Sequence, residues 1–168
     1  MSIIDTPTLP ADYSRDCGGA AIGARLRRLS EAIDRDAGLA YRDLGIEFEQ
    51  RWFGLLNLLD RFGPLSVGQI AASLGITHVA VSQSRASLET RALIAAASDK
   101  ADARRRLLSL TPKGMALVAS LRPLWRAMDH AAQGLNDEAD DVVKALEILE
   151  AALARRSMRQ RIADMVAA

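Results

Sequence analysis

The chain holds little of what marks several common protein classes. Its one cysteine among 168 residues cannot form an internal disulfide, which suits a reducing compartment. No apolar run reaches the roughly 18 residues of a membrane span, and the first residues lack the basic-then-apolar layout of a secretory signal. The expectation is a cytoplasmic protein with no membrane partner. The two histidines, His78 and His130, lie far apart with no Cys, Asp or Glu set at ligand spacing, so no metal site is expected. There is no phosphate-cradling glycine loop and no nucleophile-elbow sequence. The acidic pairs Asp137-Glu138 and Asp140-Asp141 are explained by a helix start, where carboxylates favour the positive end. A non-enzyme without a cofactor follows as the expectation.

Net charge is also small. With 22 basic and 21 acidic residues it argues neither for nor against nucleic acid, but its distribution does. Thr77 to Lys113 carries seven basic residues (Arg85, Arg91, Lys100, Arg104, Arg105, Arg106, Lys113) against three acidic ones (Glu89, Asp99, Asp102), a local excess of four. Asp129 to Ala168 reverses the balance, with eight acidic against five basic residues. The composition, 49% hydrophobic but only 4% aromatic, is that of an Ala-, Leu- and Arg-rich helical chain long enough to bury a core.

The basic stretch coincides with a recognisable order of elements. After Ser66, a plausible N-cap, Val67, Ile70, Ala71 and Leu74 fall at helical spacing, and Gly75 ends the pattern with a residue that tolerates positive φ. Thr77 then caps a second helix, His78 to about Arg91, in which Val79 or Ala80, together with Val81 and Leu88, can face inward. The outward set is Thr77, His78, Ser82, Gln83 and Arg85, groups able to reach base edges and phosphates. Beyond Leu93 the pattern becomes extended to Ser98, turns at Asp99 to Asp102, and returns with Leu108 and Leu110 alternating with Ser109. Asp102 and Arg104 can pair across the tip. Lys100, Arg105 and Arg106 are then left for phosphate or the minor groove, and Arg104 is counted with them among the expected DNA-binding residues. Thr111-Pro112 starts another helix. Two helices at a glycine turn followed by a basic hairpin make a winged helix-turn-helix.

These residues resemble a known family. Asp99-x-x-Asp102-x-Arg104 followed by Leu108-x-Leu110-Thr111-x-x-Gly114 is similar to the wing signature of the MarR family of transcription regulators. The stretch GITHVAVSQ, Gly75 to Gln83, looks like the start of its recognition helix. The likeness covers about Gly19 to Trp125. RLRRLSEAID (Arg25 to Asp34), YRDLGIEFEQRWFGLL (Tyr41 to Leu56) and GPLSVGQIA (Gly63 to Ala71) also resemble the MarR-like half of proteins that add an acetyltransferase. Residues up to Ala168 leave no room for that second domain, and its activity is not expected. The resemblance implies a mainly α fold with a small β-hairpin wing, N- and C-terminal helices that form a homodimer, and a small-molecule pocket between the dimer interface and the winged lobe. Ser84 and Arg85 depart from positions usually apolar in the family, and Ala92 stands where glycine is common.

The flanking patterns fit that layout. Residues 1–15, with Pro7 and Pro10, read as an irregular arm, and 16–168 as a single domain. Its winged lobe spans about 47–112 and its dimerisation helices about 16–40 and 112–168. Ile22, Leu26, Leu29, Ile33 and Ala37 form one apolar stripe. A helix from about Glu47 to Arg61 is apolar nearly all round and is expected at the centre of the fold. Pro123 is expected to kink or interrupt the helix from Pro112. A last helix is expected to begin near Asn136, with Ala139, Val142, Leu146, Leu149 and Leu153 as a packing seam and Ile162 and Met165 as its extension. A second copy of the chain is the economical partner for such a seam. A two-fold dimer would also set two recognition helices roughly 34 Å apart on a pseudo-palindromic operator.

The functional expectation is therefore a ligand-responsive, sequence-specific DNA-binding regulator, a repressor, whose partners are double-stranded DNA, a second copy and a small-molecule effector. Tyr41, Phe48, Arg51 and Trp52 are the candidate effector residues, with Arg51 as a cation beside the Trp52 face. Two alternatives stand beside it. One is a winged-helix module that binds protein. The other is a redox sensor using Cys17, since some relatives sense peroxides through one cysteine of the first helix, although Asp16 here opposes a thiolate.

Overall fold

Helical structure begins where Asp12 can cap it. The Asp12 carboxylate accepts the Ser14 N–H at 3.1 Å, and Tyr13–Asp16 forms one turn, α1, across the end of the stretch 1–15 expected to be irregular. A 3-10 turn at Gly18–Ala21 leads into α2, Ile22–Asp43. Arg28 of α2 reaches back to Asp12 with two guanidinium nitrogens, at 3.2 and 3.0 Å. The computed structural model describes residues 10–98 and 106–167, which divide into two compact units at Ala116 and Leu117.

The third helix starts later than its apolar run suggests. After Gly45, at φ +69°, the Ile46 N–H donates to the Tyr41 carbonyl, a 3-10 turn forms at Gln50–Trp52, and α3 runs over Phe53–Phe62. The expected start near Glu47 is thus corrected to Phe53. Tertiary partners explain the delay: Phe48 stacks on Tyr41 with ring centroids 4.3 Å apart, while the Glu47 and Glu49 carboxylates are held by Arg91, Arg51 and Ser87. Side chains drawn to different neighbours on opposite sides hold the segment extended. The helix buries Leu55, Leu56 and Leu59 with Trp52, but Phe62 is exposed, so it is not enclosed all round.

The winged lobe follows from local chemistry. A two-residue strand β1, Leu65–Ser66, passes into α4, Val67–Leu74. Ser66 and Gln69 form a reciprocal capping box, at 3.3 Å to the Gln69 N–H and 3.0 Å from the Ser66 N–H. Gly75, at φ +65°, closes the helix as the Ile76 N–H donates to the Ala71 carbonyl and the Gly75 N–H to that of Ala72. Thr77 caps α5, His78–Thr90, its Oγ1 accepting the Ala80 N–H at 3.2 Å. Strands β2, Ile94–Ser98, and β3, Arg106–Leu110, pair antiparallel with Ala96 opposite Leu108. β1 joins the other edge of β3, Leu65 opposite Leu108, giving the order β1-β3-β2. That third strand was not anticipated, because two residues carry no period.

Helix α6, Pro112–Glu138, begins in the first unit and continues into the second, carrying Pro123 inside it without ending there. Its start is fixed against the end of α5. The Thr111 N–H donates to the Leu93 carbonyl, the Thr111 hydroxyl to that of Ala92 and the Lys113 ammonium to that of Arg91. The last helix does not begin near Asn136, which sits inside α6. It starts as α7 at Val142, runs to Arg155, and is followed by α8, Met158–Val166. Asp140 and Asp141 adopt left-handed backbone, at φ +57° and +60°, and Asp141 is the true cap, accepting the Lys144 N–H at 3.4 Å. Asn136 Oδ1 reaches forward to the Val143 N–H at 2.9 Å. The acidic cluster is therefore split between the end of one helix and the start of the next, and Ala139 leaves the expected seam.

Candidate nucleic-acid interface

The rotation of α5 decides what it can read. Val81, Ser84 and Leu88 are buried, at 1%, 5% and 0% exposure, so the opposite side is turned to solvent. Ala80 is half-buried while Val79 is 66% exposed, which settles the two inward candidates in favour of Ala80. Ser84 fills an apolar slot by pointing its hydroxyl at the Arg51 carbonyl, 3.5 Å away. Thr77, His78, Ser82 and Gln83 are all exposed, and Ala86 extends their face. His78 stands against the start of α4, its Cε1 3.6 Å from where a Cβ on Gly68 would lie.

Arg85 behaves differently from the rest of that set. It is half-buried at the flank of the helix and pairs with Glu89 one turn on, at 3.0 Å. A phosphate contact would compete with that pair. Arg106, at the start of β3, is exposed. Lys100, Arg104 and Arg105, the other expected wing contacts, and the Asp102 partner lie outside the described residues.

The end of α5 is held by a second set of groups. Arg91 pairs with Glu47 and lies with its guanidinium 5.0 Å from the centre of the Trp52 ring; Ser87 donates to Glu49 at 3.2 Å. Ala92 adopts φ +55°, and the Ala92 and Leu93 N–H groups donate to the Glu89 and Leu88 carbonyls, both at 2.9 Å. The left-handed turn usual for glycine is therefore retained on an alanine.

The aromatic set is brought together, with one correction. Tyr41 and Trp52 are fully buried, and Phe48 bridges them, stacked on the first and edge-on to the second at 5.5 Å. The cation on Trp52 is Arg91, the residue that closes α5, and not Arg51. The Arg51 guanidinium turns to Glu49 at 2.6 Å, a half-buried carboxylate two residues away. Arg51 also lines a crevice of about 390 Å³, with Gln50 and Gly54 beside it and Ala80, Gln83 and Ser84 facing them. Trp52 Nε1 is buried with no hydrogen-bond partner among the described residues. Adjacency in sequence pointed to Arg51; Arg91 is a tertiary neighbour with no local signal.

Cys17 is half-buried between α1 and the following turn. Among the described residues no group of three or more His, Cys, Asp or Glu side chains could hold a metal ion. No described helix is long and apolar enough to cross a membrane.

A capped helix with a polar outward face, braced on a second helix across a glycine turn and followed by a two-stranded wing, defines a winged helix-turn-helix protein. The MarR family model matches residues 44–105. Over 81 residues the chain is 38% identical to the HTH-type transcriptional regulator Rv2034 of Mycobacterium tuberculosis, spanning 47% of this chain and 73% of that protein. The chain belongs to the MarR family of DNA-binding transcriptional regulators. Solved structures agree on the fold. Bordetella bronchiseptica BpsR, described in terms of regulation of its DNA binding by 6-hydroxynicotinic acid, has a TM-score of 0.67 at 24% identity, over 84% of this chain and 98% of that one. S. aureus MepR in complex with DNA gives 0.65 at 22%, over 79% and 98%. The transcriptional repressor CouR on a 23-mer duplex gives 0.61 at 24%, over 77% and 92%.

Proposed function

We propose that this regulator is a repressor that binds a pseudo-palindromic operator as a homodimer and releases it when a small molecule binds. The observation that carries the reading is the orientation of α5: Thr77, His78, Ser82 and Gln83 face outward while Val81, Ser84 and Leu88 are enclosed. Gln83 is the base reader, His78 and Thr77 hold phosphate near the helix start, and Arg85 joins them by exchanging Glu89 for phosphate. Arg106, with Lys100, Arg104 and Arg105, supplies the wing contact.

The homodimer reading is supported by apolar stripes that the described residues of their own units leave exposed. Ile22, Leu26, Leu29 and Ile33 of α2 are exposed, as are Val142, Leu146 and Leu153 of α7. MepR and CouR are each described with DNA, and BpsR with a small aromatic acid that regulates DNA binding. For the effector we favour the Tyr41, Phe48 and Trp52 cluster, with Arg91 in the part first given to Arg51. An anionic planar molecule accepting the Trp52 N–H and drawing on Arg91 would disturb the recognition helix directly, an ordinary population shift.

The test is a fluorescence-anisotropy titration against duplexes selected from genomic fragments. Log affinity is expected to fall linearly with log salt, and Arg104→Ala to weaken binding and reduce that slope by about one. A protein that gives no salt-sensitive binding to any duplex is not this regulator.

A further inference from the structure

The most exposed apolar side chain of α5 has no task in the lobe. Val79 is 66% exposed, the second residue of the helix, and at about 100° per residue it projects nearly opposite the buried Val81, Ser84 and Leu88. A β-branched residue in that place gains nothing from helix propensity and leaves its methyls in water. Its neighbours on the outward face are polar or small: His78, Ser82, Gln83 and Ala86. Val79 and Gln83 are four residues apart, so their side chains lie side by side on one ridge, about 5–6 Å between Cβ atoms.

In the major groove only one apolar group is on offer, the C5-methyl of thymine. The N-terminal residues of a recognition helix are the ones that reach base edges, and a short side chain such as valine reaches them only from there. We propose that Val79 is a specificity-determining residue that packs on a thymine methyl, one base step from the pair read by Gln83. The two residues together then select a thymine adjoining the Gln83 base pair in each half-site. This rests on the outward recognition face described above and adds a base-specific contact to it.

Base analogues test it without depending on folding. The purified protein selects its duplex from a random pool, and each thymine of the selected site is replaced in turn by deoxyuridine in both halves, which removes only the methyl. For the unaltered protein one position is expected to lower affinity about fourfold per half-site, or about fifteenfold for both, the worth of one buried methyl-sized group. Val79→Ala, an exposed change to a better helix former, is expected to bind the thymine duplex more weakly. It should bind thymine and uracil duplexes equally at that one position, with an unchanged salt slope. Gln83→Ala should retain the thymine preference there. Equal binding of every uracil duplex by the unaltered protein overturns the proposal, as does a Val79→Ala protein that keeps the full thymine preference. In both cases the wider recognition face stands, because a duplex was still selected. Failure to select any duplex overturns both together.

Discussion

Single residues in this lobe sit where their side chains are tolerated at a cost, and the cost can be measured. Ala92 holds φ +55°, a conformation that costs an L-residue about 1–2 kcal/mol. Ala92→Gly removes that strain but frees the unfolded chain by about 0.4–1 kcal/mol. The net expectation is a gain of about 0.5 kcal/mol, read as a higher urea midpoint at unchanged slope. Gly114 is the opposite case: a Cβ there would lie 2.0 Å from the Leu93 carbonyl oxygen, and backbone cannot give way as a side chain can. Gly114→Ala is expected to cost about 3 kcal/mol or more in the same measurement. Arg28, and then the Ser14 hydroxyl, hold the Asp12 carboxyl well below the usual carboxylate value of 3.8. A lowered folded-state value means the stabilisation is present above about pH 3.8 and is lost only as pH falls through the lowered value. Carboxyl NMR should find Asp12 still ionised at about pH 3, and titrating closer to the ordinary range once Arg28 is changed to Ala, with the Ser14 hydrogen bonds left to hold it down.

At the scale of elements, the end of the recognition helix is clamped by unequal partners. Arg91 lies over a fully buried Trp52, whereas Glu47 is largely exposed, so the ring contact outweighs the ion pair. Arg91→Ala is expected to lower stability by about 1–2 kcal/mol and Glu47→Ala by less than about 0.5 kcal/mol, in denaturant titrations. Equal losses would mean that the ion pair dominates. This clamp also shows why some boundaries could be read from the sequence and others not. Ser66, Gly75 and Thr77 act through hydrogen bonds within a few residues or through their own φ, so both ends of α4 and the start of α5 were legible. The start of α3 was not, because Phe48, Glu47 and Glu49 answer to Tyr41, Arg91 and Ser87 from distant parts of the chain. The start of α7 was misjudged by six residues, from Asn136 to Val142, because the carboxylates expected at one helix start are divided between two helices. In the candidate site the outward set at Thr77, His78, Ser82 and Gln83 followed from helical period, whereas the Arg91–Trp52 contact and the outward turn of Val79 needed the packing of three elements to be known.

For the whole molecule, the exposed stripes of α2 and α7 are what the proposed homodimer rests on. Leu29→Asp is expected to shift sedimentation from dimer to monomer and to lower operator affinity at least a hundredfold, since two half-sites bound separately lose the advantage of linkage. A Leu29→Asp protein that stays dimeric would direct attention to the second unit's stripe instead. The junction of Leu93, Thr111 and Gly114 has a further consequence. With no methyl at 114, α6 approaches so closely that the Thr111 amide meets the Leu93 carbonyl at 3.0 Å. That bond ties the start of α6 to the end of α5, so exchange of the amide is expected to require the lobe to come apart as a unit. Its proton should be among the last to leave in heavy water, outlasting those of α5, and its loss would time the rare moments when the protein is unfolded.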